Sequence, residues 1–296
     1  MAFARRIINL RFELGAGDFG SPGIDTVDLS GQRMSVDITH AGGNSLSLAE
    51  LRIWGMSLDV MNRLTLLNVY ATPERVNNRI TISAGDGDGG VAVCFVGGIQ
   101  EAWIDGSDLP GVAFHVAAAS AFVENIRPIA PTAYKGTVDV AIVLSGIAAQ
   151  MGLSLENSGV SGVVLNDPYF PGALGAQLES ICQHAHVEYH IDSIARVLAV
   201  WPVGKQRDGE SIIMSAYTGM VGFPTFTQSG IRIRSLYNPN LIFGRKLLVT
   251  SDFSSACGMW VIANVNHNLD CETPGGAWFT EVECTLFGHS PPIPGR

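Results

Sequence analysis

The densest group of metal-capable side chains is His184, His186 and His190, in the pattern H-x-H-x-x-x-H with Glu188 among them. Neutral imidazoles hold zinc when three or four ligands converge on one point. The residues before them, Leu174, Leu178, Ile181, Cys182 and Ala185, fall at helical spacing. On a continuing helix each residue advances about 100°, so His184 and His186 stand about 160° apart and diverge. They converge only if the helix ends first, and apart from Glu188 no Cys or carboxylate completes the set. The three read as solvated histidines of a helix end and a strand, and no metal is expected.

Two glycine-rich loops invite other chemistry. Residues 15–20 (GAGDFG) match G-x-G-x-x-G after a strand-like run. A dinucleotide loop, however, must open a helix whose N-terminus faces the pyrophosphate. Pro22 and Gly23 stand where that helix would propagate, so a glycine-rich hairpin is expected. Residues 84–90 (AGDGDGG) look acidic enough for calcium, yet Gly90 and Gly97 occupy positions that an EF-type loop reserves for ligands. Asp-Gly and Gly-Gly steps suit a tight hairpin turn instead.

Hydrolytic chemistry finds no support. There is no G-x-S-x-G elbow, and Ser, His and Asp are too scattered to nominate a triad. Glu281 and Glu283 alternate on a strand and so face one way, whereas a glycosidase pair normally sets one acid in an apolar pocket opposite the other. A solvated strand face is the expectation. Residues 219–226 (GMVGFPTF), Trp260 and Trp278 read as core or subunit contact rather than a sugar platform. No catalytic, cofactor-binding or metal residue is nominated.

The elements that carry these residues divide the chain in three. Two breaks stand out: residues 126–136, with two prolines, and residues 201–210, which combine Pro, Gly and dense charge. Before them the pattern is strand-like. Ile7, Leu10 and Phe12 begin an apolar run, Met34, Val36 and Ile38 alternate with polar residues, and so do Ile80 and Ile82. One helix interrupts, with Ser57 as N-cap, Asp59 in its first turn, and Leu58, Met61, Leu64 and Thr65 at helical spacing. Between the breaks Thr137 caps a helix with Asp139 near its positive end. Val140, Leu144, Ile147, Ala148 and Met151 make its apolar face, and Gly152 stops it. The second helix, at 174–185, runs into a hairpin of residues 187–192 and 196–201 that turns at Ser193. Strands return afterwards. Ile231 and Ile233 alternate with Arg232 and Arg234, residues 247–250 and 260–265 follow, and Val282 and Cys284 oppose Glu281 and Glu283. Residues 289–296 (HSPPIPGR) read as an extended arm. Residues 80–99 and 247–265 resemble one another as strand, turn, strand, an internal repeat that suggests two related β-barrels.

Composition bounds the function. The 296 residues are 47% hydrophobic and only 15% charged, with 34 glycines and a mean hydropathy of +0.24. A soluble chain typically carries about 25% charged residues, so disorder, a coiled coil and a nucleic-acid coat are excluded. The uncharged stretch 211–231 contains Pro224 and three glycines, which no smooth spanning helix of about 20 apolar residues tolerates. Residues 140–155 are too short for a span. The apolar surplus must lie in cores or between subunits. Net charge is −9 without a Lys/Arg run, against a phosphate-backbone partner. Asn9, Arg11 and Glu13 break any signal-peptide apolar region, so cytoplasmic synthesis is expected. Five cysteines without C-x-x-C indicate reduced, mostly buried thiols rather than a disulfide framework.

Several segments, in order, resemble the baseplate hub family of tailed bacteriophages, related to the spike-hub modules of contractile injection systems. They are residues 48–65 (LAELRIWGMSLDVMNRLT), residues 80–85 (ITISAG) closed by 95–99 (FVGGI), and residues 166–172 (NDPYFPG) with the helix and hairpin after them. The set ends with residues 219–224 (GMVGFP), 230–239 (GIRIRSLYNP) and 244–247 (GRKL). The resemblance implies a mainly β chain with a small α/β insertion. Residues 1–126 would form a first tube-like β-barrel, 127–204 the α/β module, 205–288 a second barrel and 289–296 the arm. It implies a non-enzymatic homotrimer whose six barrels adapt a sixfold tail tube to a threefold central spike and leave a channel for DNA. The implied neighbours are the tube or its initiator, the spike, the tape measure protein and surrounding wedge or distal tail proteins, with no membrane and no sequence-specific nucleic-acid binding. The place is the virion, after assembly in the host cytoplasm. A tail-associated cell-wall hydrolase and a glycan-binding β protein are the rivals.

Overall fold

The computed structural model describes residues 5–42, 46–66, 77–87, 89–107, 111–127 and 129–286; the expected arm at 289–296 and Asp88 of the acidic loop lie outside them. Strand dominates, 48% against 15% helix, and sets the class as mainly β. The chain forms two compact units, one of residues 1–39, 47–123 and 266–279, the other of residues 40–46, 124–265 and 280–296.

The first unit follows from period-two alternation. Its strands are β1 (Arg6–Glu13), β2 (Thr26–Ser30), β3 (Met34–Ala41), β4 (Leu48–Trp54), β5 (Arg79–Asp86), β6 (Gly90–Asp105) and β7 (Ala113–Ala119). They pair antiparallel in the order β2–β1–β5–β6–β7–β4–β3. Except on the edge strand β2, alternate residues, among them Leu10, Phe12, Val36, Ile38, Leu51, Ile53, Ile82 and Phe114, are buried. The register of β5 and β6 slips between Ile82 and Ser83. That bulge explains why Cys94 and Phe95 are both buried although they are neighbours in a strand. Gly97 needs its bare backbone, because a Cβ there would stand 2.6 Å from the Ala119 carbonyl oxygen. Helix α1 (Leu58–Leu64) begins at Ser57, whose Oγ accepts the Val60 N–H, with Asp59 in the first turn. Met61 and Leu64 are buried, but Leu58 is exposed. In a helix of under two turns only two positions reach the core.

The second unit begins with α2 (Phe122–Ile126), whose last residues belong to it, and an α/β module. The module contains β8 (Thr132–Ala133), β9 (Thr137–Asp139), α3 (Val140–Gln150), β10 (Ser154–Asn157), β11 (Val164–Asn166), β12 (Tyr169–Phe170), α4 (Leu174–Ala185), β13 (Val187–Asp192) and β14 (Val197–Pro202). The expected cap of α3 is corrected from Thr137 to Asp139, two residues on. Thr137 lies in β9, paired with Asn166, and Asp139 is the N-cap, accepting the Ala141 N–H at 2.8 Å. Val140, Leu144, Ile147, Ala148 and Met151 are all buried, as their spacing predicts. Helix α4 stops at His186, which takes the left-handed conformation at φ 53° and donates its N–H to the Cys182 carbonyl. The β13–β14 hairpin follows, with β10 parallel to β14. Four cysteines are buried and Cys257 is exposed. Burial pushes the Cys182 thiol up to about 12, which keeps it protonated and inert.

The remaining strands of this unit are β15 (Ile212–Met214), β16 (Thr225–Phe226), β17 (Gly230–Leu236), β18 (Lys246–Val249), β19 (Gly258–Cys271) and β20 (Trp278–Leu286). Their order is β16–β17–β20–β19–β18–β15. The β18–β19 hairpin matches β5–β6, as the internal repeat predicts, but the strand beside it differs: β15 is parallel to β18, whereas β1 is antiparallel to β5. Met214, Met220, Ile231, Ile233, Leu247, Trp260, Ile262 and Val282 fill one common core. Residues 266–271 of β19 and the start of β20 belong to the first unit, where Asn266 and Asn268 donate to Thr39 and Asp37 of β3. Among the described residues no helix is long and apolar enough to cross a membrane.

The core of the first unit makes a direct prediction. Phe114 is fully buried, so Phe114→Ala leaves a cavity and should cost about 3–5 kcal/mol, seen as a lower urea midpoint with an unchanged slope.

Candidate assembly surface

The structure disperses the side chains whose spacing suggested chemistry. His184 ends α4 exposed, its Nδ1 2.7 Å from the Ser180 carbonyl oxygen. His186 is the helix cap and His190 is buried on β13. Glu188 accepts from the Trp201 indole N–H at 2.7 Å. Among the described residues no group of three His, Cys, Asp or Glu is placed to hold a metal. Residues 15–20 link β1 to β2 without opening a helix, with Phe19 N–H donating to the Ile24 carbonyl at 2.7 Å. In the β5–β6 turn Asp86 accepts the Gly89 N–H. Glu281 and Glu283 face outward on β20 and pair with Arg234 and Arg232 of β17, Arg232 Nε lying 3.0 Å from Glu283. That is a solvated ion ladder rather than an acid pair. Trp260 is buried and donates to the Ala256 carbonyl at 2.9 Å.

The second unit holds a polar cluster that no motif announced. Arg207 lies in the charged stretch after β14, yet is only 2% exposed. Its Nε and Nη2 grip both oxygens of Glu156 on β10 at 2.6 and 2.7 Å, while Nη1 reaches Asp192 at the end of β13 at 3.2 Å. Such a fork fixes geometry as well as charge. The backbone is pinned alongside: Arg207 N–H donates to the Gly244 carbonyl at 2.9 Å and Asp208 N–H to Ser158 Oγ at 3.0 Å. Gly244 adopts φ +79°, and a Cβ there would stand 2.9 Å from the buried Trp201 ring. Phe243 beside it packs against His190 and Trp201, at 5.3 and 5.9 Å between ring centres.

Electrostatics sharpen this cluster. The hydrogen bonds and charge of Arg207 hold Glu156 below the ordinary carboxylate range despite partial burial. Burial alone would raise Asp192, but the Ala195 N–H and then Arg207 outweigh it, so the net direction is down. Burial pushes His190 down to about 4, against the pull of Asp192. The cluster has the parts of a structural clamp, since it ties the loop after β14 to two strands.

The outer surface of the same unit is unusual in another way. Its sheet has two borders. One is β15. The other is residues 219–226, which run along β17 through the Val221 N–H to Arg234 carbonyl bond, the Met220–Ser235 bridge and the β16 pairing. Only the four residues 215–218 join the borders. They form a single tight turn, capped by reciprocal Ser215 and Thr218 bonds and held to the Ile213 carbonyl by Thr218 Oγ1 at 3.0 Å. Phe223 on one border stacks on Phe253 after β18, with ring centres 4.7 Å apart. Around this seam apolar side chains face outward. Ile213 and Leu248 are ladder partners on the outer face, Phe223 is half exposed, and Tyr217 on the turn is 100% exposed; Phe226, the ladder partner of buried Ile231, lies on the core side of its strand.

The clamp yields an acid prediction with a definite sign. Unfolded His190 takes a proton near its ordinary value of 6.5, but the folded residue does so only near 4, so stability falls as pH drops through that window. Asp192 and Glu156, held low, add stability that is present above the ordinary carboxylate range and lost below it. His190→Gln should flatten the loss between pH 6.5 and 4 in thermal melts, leaving the carboxylate part. Arg207→Met, which strands two carboxylates, should destabilise the second unit by about 3 kcal/mol, the low end for breaking a buried pair because Glu156 keeps some water.

A comparison with curated proteins finds no match. Solved structures share the fold at very low identity. The E. coli c3393 protein, a component of the type VI secretion system with structural similarity to T4 bacteriophage tail proteins gp27 and gp5, superposes with a TM-score of 0.60 at 10% identity, covering 89% of this chain and 77% of its own. The 43 kDa tail protein of prophage MuSo2 from Shewanella oneidensis gives 0.60 at 9%, covering 94% and 96%. The tail protein of Neisseria meningitidis MC58 gives 0.60 at 10%, covering 95% and 97%. By sequence, residues 18–281 match the family described as baseplate hub gp41. With most of its length inside that match, this chain belongs to the baseplate hub gp41 family of phage tail structural proteins.

Proposed function

We propose that the chain is a non-enzymatic, homotrimeric hub of a phage tail baseplate, which adapts the sixfold tail tube to the threefold central spike and leaves a channel for DNA. The observation that carries this reading is the family match over residues 18–281. It is supported by the fold, since tail proteins cover this chain almost end to end. A two-barrel plan is part of the proposal: residues 1–126 and 205–288 as tube-like barrels, 127–204 as the α/β insertion, and 289–296 as an arm. The single buried cluster of the second unit supports a barrel-like part of that plan, although no closed barrel forms among the described residues.

Three chains would then present six barrels, which reconciles the symmetries of tube and spike. A net charge of −9 suits a channel that DNA must pass without sticking, since a basic lining binds phosphate and releases counterions. The partners follow from this position: tube or tube initiator on one side, spike on the other, with tape measure protein and wedge or distal tail proteins around them. The place of action is the virion, after assembly in the host cytoplasm.

Sedimentation of the purified chain tests the trimer. A species of three times the 31.5 kDa chain mass is expected, with no lytic zone on peptidoglycan. A stable monomer that clears peptidoglycan would replace the hub with a tail-associated hydrolase.

A further inference from the structure

We infer that the apolar seam of the second unit, presented by Ile213, Tyr217, Phe223, Leu248 and Phe253, is the surface on which a second copy of this chain docks. The inference rests on the hub reading and names the residues through which its copies would meet.

The first argument is area. An aromatic side chain presents roughly 150–250 Å² and an aliphatic one less, so these five, exposed from 36% to 100%, leave on the order of 500 Å² of apolar surface. That is at the upper end of what a typical monomer shows in one patch, about 300–600 Å², and is more than half of the roughly 800 Å² per partner of a stable protein interface. A small ligand needs far less, and a peptide would be expected to leave part of it wet.

The second argument is charge. Residues 211–231 form an uncharged stretch of the sequence, and it supplies β15, the turn and the border 219–226. Two chains of net charge −9 repel, so copies approach at least cost where neither carries charge. A basic partner would instead be steered to acidic surface. The polar face of the same sheet, the Arg232–Glu283 and Arg234–Glu281 ladder, already has its own counter-charges and is suited to water.

The third argument is rigidity. Tyr217 is fully exposed, yet its turn is fastened by the Ser215–Thr218 cap and by the Met220 N–H to Ser215 carbonyl bond at 2.9 Å. A pre-ordered aromatic lowers the entropy cost of association, and buried aromatics commonly dominate interface energetics.

Sedimentation equilibrium of the full chain decides the matter when wild type, Tyr217→Ser, Phe253→Ser and Arg232→Ala are compared, each with a thermal melt to show that it folds. Wild type should assemble, both seam variants should weaken assembly at least tenfold, and R232A should assemble as wild type does. Should one seam variant fail to melt cooperatively, the other carries the comparison. Wild-type assembly that survives both seam substitutions overturns this docking site, assigns the seam to another occupant, and leaves the hub reading standing. A wild-type chain that stays monomeric at every reachable concentration overturns the docking site, and one that also clears peptidoglycan overturns the hub reading with it.

Discussion

A β-strand has two faces, and a chain in which only 15% of residues are charged cannot clothe both with side chains that prefer water. One face of each sheet meets a core, as Phe12, Ile38, Ile82 and Phe114 do in the first unit and Ile231, Leu247 and Val282 do in the second. The other face must be polar or covered. On β17 and β20 it is polar, through alternating arginines and glutamates. At Ile213, Tyr217, Phe223 and Leu248 it is apolar and exposed in the single chain. That imbalance is the ground for the proposed docking of a second copy.

Within the second unit the buried Arg207 fork answers a different difficulty. The module of α3, α4, β10, β13 and β14 is followed by a loop rich in charge and glycine, which would wander if only hydrophobic contacts held it. The bidentate grip on Glu156, the contact with Asp192 and the backbone bonds to Gly244 and Ser158 fix it in one place. A buried ion network is a weak source of net stability but a strong source of specificity in geometry when every partner is satisfied.

Much of this architecture was legible in the residues. Alternation at Met34, Val36 and Ile38 and at Ile231 and Ile233 marked strands, and the 174–185 helix with the hairpin after it followed from a change of period. Local chemistry misled at two points. Thr137 yielded its capping role to Asp139 because pairing with β11 extended the strand, and Leu58 stayed in water because its helix is too short to bury a third position. The clamp was illegible for a plainer reason. Glu156 and Asp192 lie 51 and 15 positions from Arg207, and a lone arginine in a charged loop reads as solvated until the fold closes around it. The segment 211–231 was read as needing burial in protein; the structure puts Met214 and Met220 in the core and leaves Tyr217 and Phe223 outside.

A particle reconstruction of the tail tip at side-chain detail tests the central claim most directly. The account predicts three copies of this chain about the tail axis, with Tyr217 and Phe253 of each buried against its neighbour. A tip with a different number of copies, or with that seam open to solvent, would contradict it.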